Sequence, residues 1–270
     1  MNSAPEPPDS ESPNPEPPNP EPPNPEPPAS VPIETQWLDR PVTAVAPDLV
    51  GCILVRRWAN GRVLRGQIVE TEAYGPGDPA CHGFRRQTPR NAAMFAAAGI
   101  AYVYQIYGLY HCLNVVTGKA GEASAVLIRA VALEQWPEGV ISPKPAPLHR
   151  LAAGPGKLCR VFDLDRRFNG FPLIAPHGLS APAAAAAAAS VADFCPNSCP
   201  DSCPDSCPDS FTDPCAAASA LWIEHRSARG SNAAPADSIP LVQTTRIGIA
   251  QGQDLPWRWY HRDSPAVSKP

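Results

Sequence analysis

The chain has 270 residues, a formal charge of −4, 37 prolines and nine cysteines. That length accommodates one large domain or two small ones. Its longest apolar stretch, Ala92 to Tyr104, is too short and too glycine-interrupted to span a membrane, and the acidic N-terminus carries no targeting signal, so an intracellular protein without a membrane partner is expected.

Residues 1 to 30 hold 13 of the prolines in a Pro-Asn-Pro-Glu-Pro repeat of period five. Almost no apolar side chain is available there to offset chain entropy, so this stretch reads as a solvated, polyproline-like tail. After it come strand-like runs at Cys52 to Arg57, Arg62 to Glu72, Ala101 to Tyr107, Tyr110 to Thr117 and Ala125 to Ala130, with Gly, Asn and Asp between them. Gly108-Leu109 joins the third and fourth runs and predicts a tight hairpin with Tyr107 near its tip. Leu151 to Val161 predicts a helix that begins near Gly154-Pro155-Gly156.

From about 180 to 220 an alanine run leads into a tetrapeptide repeat that starts at Cys195-Pro196-Asn197-Ser198. A proline every fourth residue forbids regular helix, so the segment reads as a loop insertion. Its cysteines, spaced C-x3-C without histidine, do not have a usual zinc spacing, and no metal is expected. Cys52, Cys81, Cys112 and Cys159 lie among apolar neighbours and read as buried free thiols.

Strands that are grouped rather than interleaved with helices argue for an α+β fold: one compact domain over 31–270. It is expected to be built on a curved antiparallel β-sheet with a protruding hairpin and flanking helices. The tail and the insertion contribute 6 and 5 acids and no Lys or Arg, which leaves 22 basic against 15 acidic residues elsewhere, a balance of +7. Such a core fits a polyanionic partner.

Chemistry-bearing residues concentrate in the middle of the chain. Strand alternation puts Ile68, Glu70, Glu72 and Tyr74 on one face and Val69, Thr71 and Ala73 on the other, so two carboxylates and a phenol share a surface. Either glutamate is then a candidate base and the other its structural partner. By periodicity alone, Tyr102, Tyr104, Tyr107 and Tyr110 read as strand aromatics that fill a core.

Ile68-Val69-Glu70-Thr71-Glu72-Ala73-Tyr74, His82, Gln87-Thr88-Pro89-Arg90-Asn91 with Met94-Phe95, and Tyr102-Val103-Tyr104 through Asn114 together resemble the alkyladenine (3-methyladenine) DNA glycosylase family. The similarity covers roughly 35 to 175 and resumes at Arg246-Ile247-Gly248 and Arg258-Trp259-Tyr260. It implies a monofunctional base-excision repair enzyme that flips a damaged purine from double-stranded DNA and hydrolyses its N-glycosidic bond with water. No cofactor is implied, and the enzyme is expected to act as a monomer associated with DNA, in the nucleoid of a bacterium or the nucleus of a eukaryote.

Carried over by position, Glu72 would activate the water and Arg129 would help to hold it. Tyr74, His82 and Tyr104 would enclose the flipped base, Asn114 would crowd the amino group of normal guanine, and Tyr107 would wedge into the gap left in the duplex. Arg85, Arg86 and Arg90, in a basic loop, and Lys157, near a helix start, would grip the phosphate backbone. The sequence departs from the family where relatives often have Gly-Pro-Pro-Gly: here stands Ala96-Ala97-Ala98-Gly99, and the loop from Tyr74 to His82 is short. The alternative reading is a non-catalytic binder of damaged DNA, which would need no general base.

Overall fold

A computed structural model of the chain describes residues 31–139, 146–173, 219–226 and 239–269. The tail over 1–30 and the predicted insertion up to residue 218 lie outside the described residues.

Among the described residues eight strands form one curled antiparallel sheet: β1 (Ile53–Arg57), β2 (Val63–Tyr74), β3 (Ala101–Ile106), β4 (Tyr110–Val116), β5 (Ala125–Leu133), β6 (Ala220–Glu224), β7 (Leu241–Thr244) and β8 (Arg258–His261). The order is β3-β4-β5-β2-β1-β6, and β8 adds to β2 and carries β7 on its other side. At 12 residues β2 is long enough to serve two partners on one edge. Its first half pairs with β1, and Glu70 to Glu72 pair with Tyr260 to Arg258 of β8, while β5 runs along the opposite edge. Three short helices accompany the sheet: α1 (Thr35–Leu38), α2 (Val42–Leu49) and α3 (Pro155–Val161). The described residues thus form a single α+β domain, as the grouped strands imply.

The sheet has two unlike faces. Ile68, Ala73, Val103, Leu113, Val115, Val126 and Ile128 belong to the main core, which also takes in Val42, Val45, Ala46 and Leu49 of α2 and Leu158 of α3. Those α2 positions follow the i, i+3, i+4, i+7 stripe of an amphipathic helix. Because α2 ends at Leu49, its late carbonyls lack helical partners, and the Thr71 hydroxyl donates to Ala46 O at 2.8 Å. Alternation sends Glu70, Glu72, Tyr74, Arg129, Asn114, Tyr102 and Tyr104 to the opposite face.

One strand boundary is corrected. β2 continues past Glu72 to Tyr74, sustained by pairing with β5 as far as Tyr74↔Ala125. The helix expected to begin near Gly154-Pro155-Gly156 does begin at Pro155 and runs to Val161, behind Gly154 at φ 129° and Ala153, which bridges to Ala130. The described chain resumes at 219, and Ala220 opens β6, whose edge is covered by residues 31–33 through Ile33 N to Ile223 O and His225 N to Val31 O. Among the described residues no helix is long and apolar enough to cross a membrane.

Candidate active site

The site is set by an irregularity in β2. Its register with β5 shifts between Ile68 and Glu70 and again before Thr71. A bulge places two consecutive side chains on one face, so Val69 packs with Ala130 and Ala266 while Ile68 turns into the main core. The expected grouping of Ile68 with Glu70, Glu72 and Tyr74 is therefore wrong at its first member. Beyond the bulge Glu70, Glu72 and Tyr74 share a face as expected.

Both glutamates are fully buried. Glu70 accepts from Arg129 Nε at 2.9 Å, Arg258 Nε at 2.8 Å and Ser268 N at 2.7 Å. Glu72 accepts from the Tyr74 hydroxyl at 2.8 Å and Ile247 N at 2.7 Å, and Arg129 Nη1 lies 3.1 Å from its Oε2. Arg129 thus joins the two carboxylates. Burial alone would lower its pKa, but Glu72 and Glu70 outweigh that and hold it above the ordinary value. The Tyr74 phenol is pushed well above its usual range by burial and then by Glu72, so it stays a proton donor to the carboxylate.

Cross-strand register carries the site outward from Glu72. Glu72 faces Leu127 on β5, Leu127 faces Asn114 on β4, and Asn114 faces Tyr102 on β3. Directly paired residues point to the same side of a sheet, so this row spans one surface. Asn114 is buried and donates to Tyr102 O at 2.9 Å, which fixes its amide. The Tyr102 hydroxyl meets His82 Nδ1 at 2.8 Å, and the His82 ring lies 4.6 Å from that of Tyr104 at 71°. Gly83 permits this placement: a Cβ there would stand 2.0 Å from Ala123 Cβ. His82 stays exposed at the rim of this surface, yet partial burial of its ring, and then Arg90, hold its pKa below the ordinary imidazole value.

The four tyrosines grade from core to tip. Tyr102 is 2% exposed, Tyr104 half-buried, Tyr110 46% exposed and Tyr107 88% exposed. The core reading of the tyrosines therefore fits Tyr102 and fails at Tyr107. Tyr107 and Gly108 turn the hairpin with φ 51° and 67°. Such a value is unfavourable for a bulky residue, so the turn holds an aromatic in solvent at some local cost.

Arg85, Arg86 and Arg90 are exposed beside His82, around a cleft of about 760 Å³ that Tyr102 and Gln251 also line. Asn91 organises this loop from within: it donates to His82 O at 2.8 Å and Arg86 O at 3.1 Å, and it accepts from Thr88 N at 2.6 Å. Lys157 is exposed on α3, which packs against β4 of the hairpin. Cys52, Cys81, Cys112 and Cys159 are free and buried.

Sequence reasoning gave no part in the site to Asp78, Asn91, Arg246, Ile247, Arg258 or Ser268, and gave Tyr102 only a place in the core. Asn91, Tyr102, Arg246, Ile247 and Arg258 lie within the stretches that carry the family resemblance, which was the signal available for them. Nothing in the sequence marks Ser268, whose contribution is a backbone N–H.

A fully buried carboxylate coupled to an arginine, next to aromatic rings and under a basic rim, fits an enzyme class: a hydrolase for a polyanion that carries flat rings. The comparisons say which. Residues 36–192 match the methylpurine-DNA glycosylase (MPG) family. A protein of Trichodesmium erythraeum is 43% identical over 242 residues, 88% of this chain and 97% of its own length. A protein of Synechococcus sp. is 44% identical over 86% of this chain and 97% of its own, and one of Carboxydothermus hydrogenoformans is 36% identical over 87% and 97%. All three carry the name "Putative 3-methyladenine DNA glycosylase". The chain belongs to the methylpurine-DNA glycosylase family: it is a DNA repair glycosylase, a hydrolase of N-glycosyl bonds with DNA as its substrate.

Proposed function

We propose that this glycosylase acts as a monomer that rotates an alkylated or deaminated purine out of duplex DNA and hydrolyses its N-glycosidic bond with a water activated by Glu72. The observation that carries this reading is the set of donors around Glu72. A carboxylate offers about four lone-pair positions, and Tyr74, Ile247 and Arg129 engage three. The proposal gives the fourth to the attacking water.

In this scheme the water oxygen attacks C1′ of the sugar while Glu72 accepts its proton. The C1′–N bond breaks, its electron pair leaves with the purine, and the carboxylate stabilises the cationic sugar as charge develops. Arg129, 3.1 Å from Glu72 Oε2, holds the carboxylate in place. A purine alkylated on a ring nitrogen is already cationic and leaves readily, so the burden falls on the water.

Tyr74, His82 and Tyr104 serve as the walls around the extruded base. Stacking on them, with Tyr107 inserted in the duplex, offsets an unstacking cost of a few kcal/mol. Asn114, pinned to Tyr102 O, excludes the amino group of normal guanine. Arg85, Arg86, Arg90 and Lys157 hold phosphates on either side. A non-catalytic binder has no need of a desolvated carboxylate, and Glu72 favours the enzyme over that alternative.

The test is direct. The protein is incubated, without added metal, with a duplex that contains a single hypoxanthine, ethenoadenine or 3-methyladenine. Release of the free base with the strand left uncut supports the proposal, and release from none of the three contradicts it.

A further inference from the structure

Arg246 lies between two aromatic rings, its guanidinium carbon 4.7 Å from the centroid of Tyr74 and 5.4 Å from that of Trp257. Its side chain is wholly buried, as is that of Asp78, which accepts from both of its terminal nitrogens. Arg246 also donates to Ala73 O at 2.9 Å and to Gly252 O at 3.1 Å. A guanidinium held in this way cannot leave the ring without stranding a buried charge. One face of Tyr74 is therefore already occupied by a cation, and a stacked base has only the other.

Resting on the reading of Tyr74 as a pocket wall, we propose that Arg246 is a specificity-determining residue that acts through Tyr74 to reduce the pocket's preference for positively charged purines over neutral ones. An aromatic face attracts a cation through its quadrupole. A guanidinium behind the ring draws on the same electron density, and its charge repels a second cation in front. Asp78 offsets part of that charge and keeps the effect to a few-fold. A neutral base, which stacks mainly by dispersion, is little affected. The two lesion classes are thereby levelled: charged purines leave readily and need the pocket less, while neutral ones depend on being held.

The adjacent backbone ties this pair to the chemistry, since Ile247 N donates to Glu72 at 2.7 Å. Loss of Arg246 by itself therefore lowers overall rates through Glu72, and only the ratio between substrates isolates its action on Tyr74.

The experiment measures single-turnover release of 3-methyladenine and of hypoxanthine from the same duplex sequence, by wild type, R246K, R246M and the doubly neutral D78N/R246M, with thermal unfolding to establish which are folded. The ratio of 3-methyladenine to hypoxanthine rates should rise about three- to tenfold in the methionine variants and stay within about twofold of wild type in R246K, which retains the charge. An unchanged ratio in a folded methionine variant, or an equal rise in R246K, overturns the inference. If neither methionine variant folds, R246K decides: a ratio held while overall rate falls supports it, and a ratio that moves overturns it. Wild type that releases neither base contradicts the proposed function as well, whereas release of both with an unmoved ratio contradicts this inference alone.

Discussion

Tyr74 donates its hydroxyl proton to Glu72 at 2.8 Å, across two residues of one strand face. A side chain expected only to stack on a base is thus also a support of the carboxylate proposed to activate water. Tyr74→Phe keeps the ring and removes the donor. A hydrogen bond to a charged group contributes about 1.5–3 kcal/mol, so the single-turnover rate should fall about 10- to 100-fold while affinity for lesion-containing duplex stays near wild type. Equal losses in rate and affinity would assign Tyr74 to stacking alone.

Glu70 should matter to the fold more than to the chemistry. It receives two arginines and the Ser268 amide, and so fastens β2 to β5, β8 and the C-terminal segment. Removal of one partner of a buried ion pair costs about 3–5 kcal/mol. Arg258→Met should lower unfolding free energy by about that amount in urea titrations. A loss below about 1 kcal/mol would contradict the structural role given to this pair.

Tyr107 occupies a left-handed backbone conformation at the hairpin tip, with φ 51°. Glycine adopts that conformation freely and alanine does not. Tyr107→Gly should accordingly be more stable than Tyr107→Ala by about 1 kcal/mol, while both lose excision because the ring is gone. Wild-type excision by either variant would remove the wedge from the mechanism.

The low pKa of His82 has burial as its first cause and Arg90 as its second. Arg90→Met should raise the titration midpoint, followed by NMR of the imidazole, without restoring the ordinary value. Because the folded imidazole binds its proton less tightly than the unfolded one, its contribution to stability is present above pH 6.5. It is lost as pH falls from there through the folded midpoint. A midpoint unmoved or lowered in Arg90→Met would contradict the assignment.

The sequence made the strand side of this site legible and left its supports hidden. Glu72, Tyr74, Tyr102, Tyr104 and Asn114 lie in stretches whose alternation and hairpin glycine can be read directly. The bulge beside Glu70 could not be read, because one extra residue in a strand leaves no mark on composition and only pairing with β5 reveals it. α2 escaped because Pro47 lies inside a helix of eight residues. The partners of the carboxylates come from far along the chain: Ile247 reaches Glu72 across 175 positions and Ser268 reaches Glu70 across 198. Local pattern carries no information about contacts of that separation.

The central claim is that Glu72 activates the attacking water. Glu72→Gln keeps the shape, its amide oxygen can still accept from Ile247 N and its amide nitrogen can donate to the Tyr74 oxygen, but it cannot take a proton. General-base catalysis is worth about 10²–10⁴-fold. Release of hypoxanthine from a duplex in single turnover should therefore fall at least 100-fold in Glu72→Gln with duplex affinity retained; release within about tenfold of wild type would contradict the account.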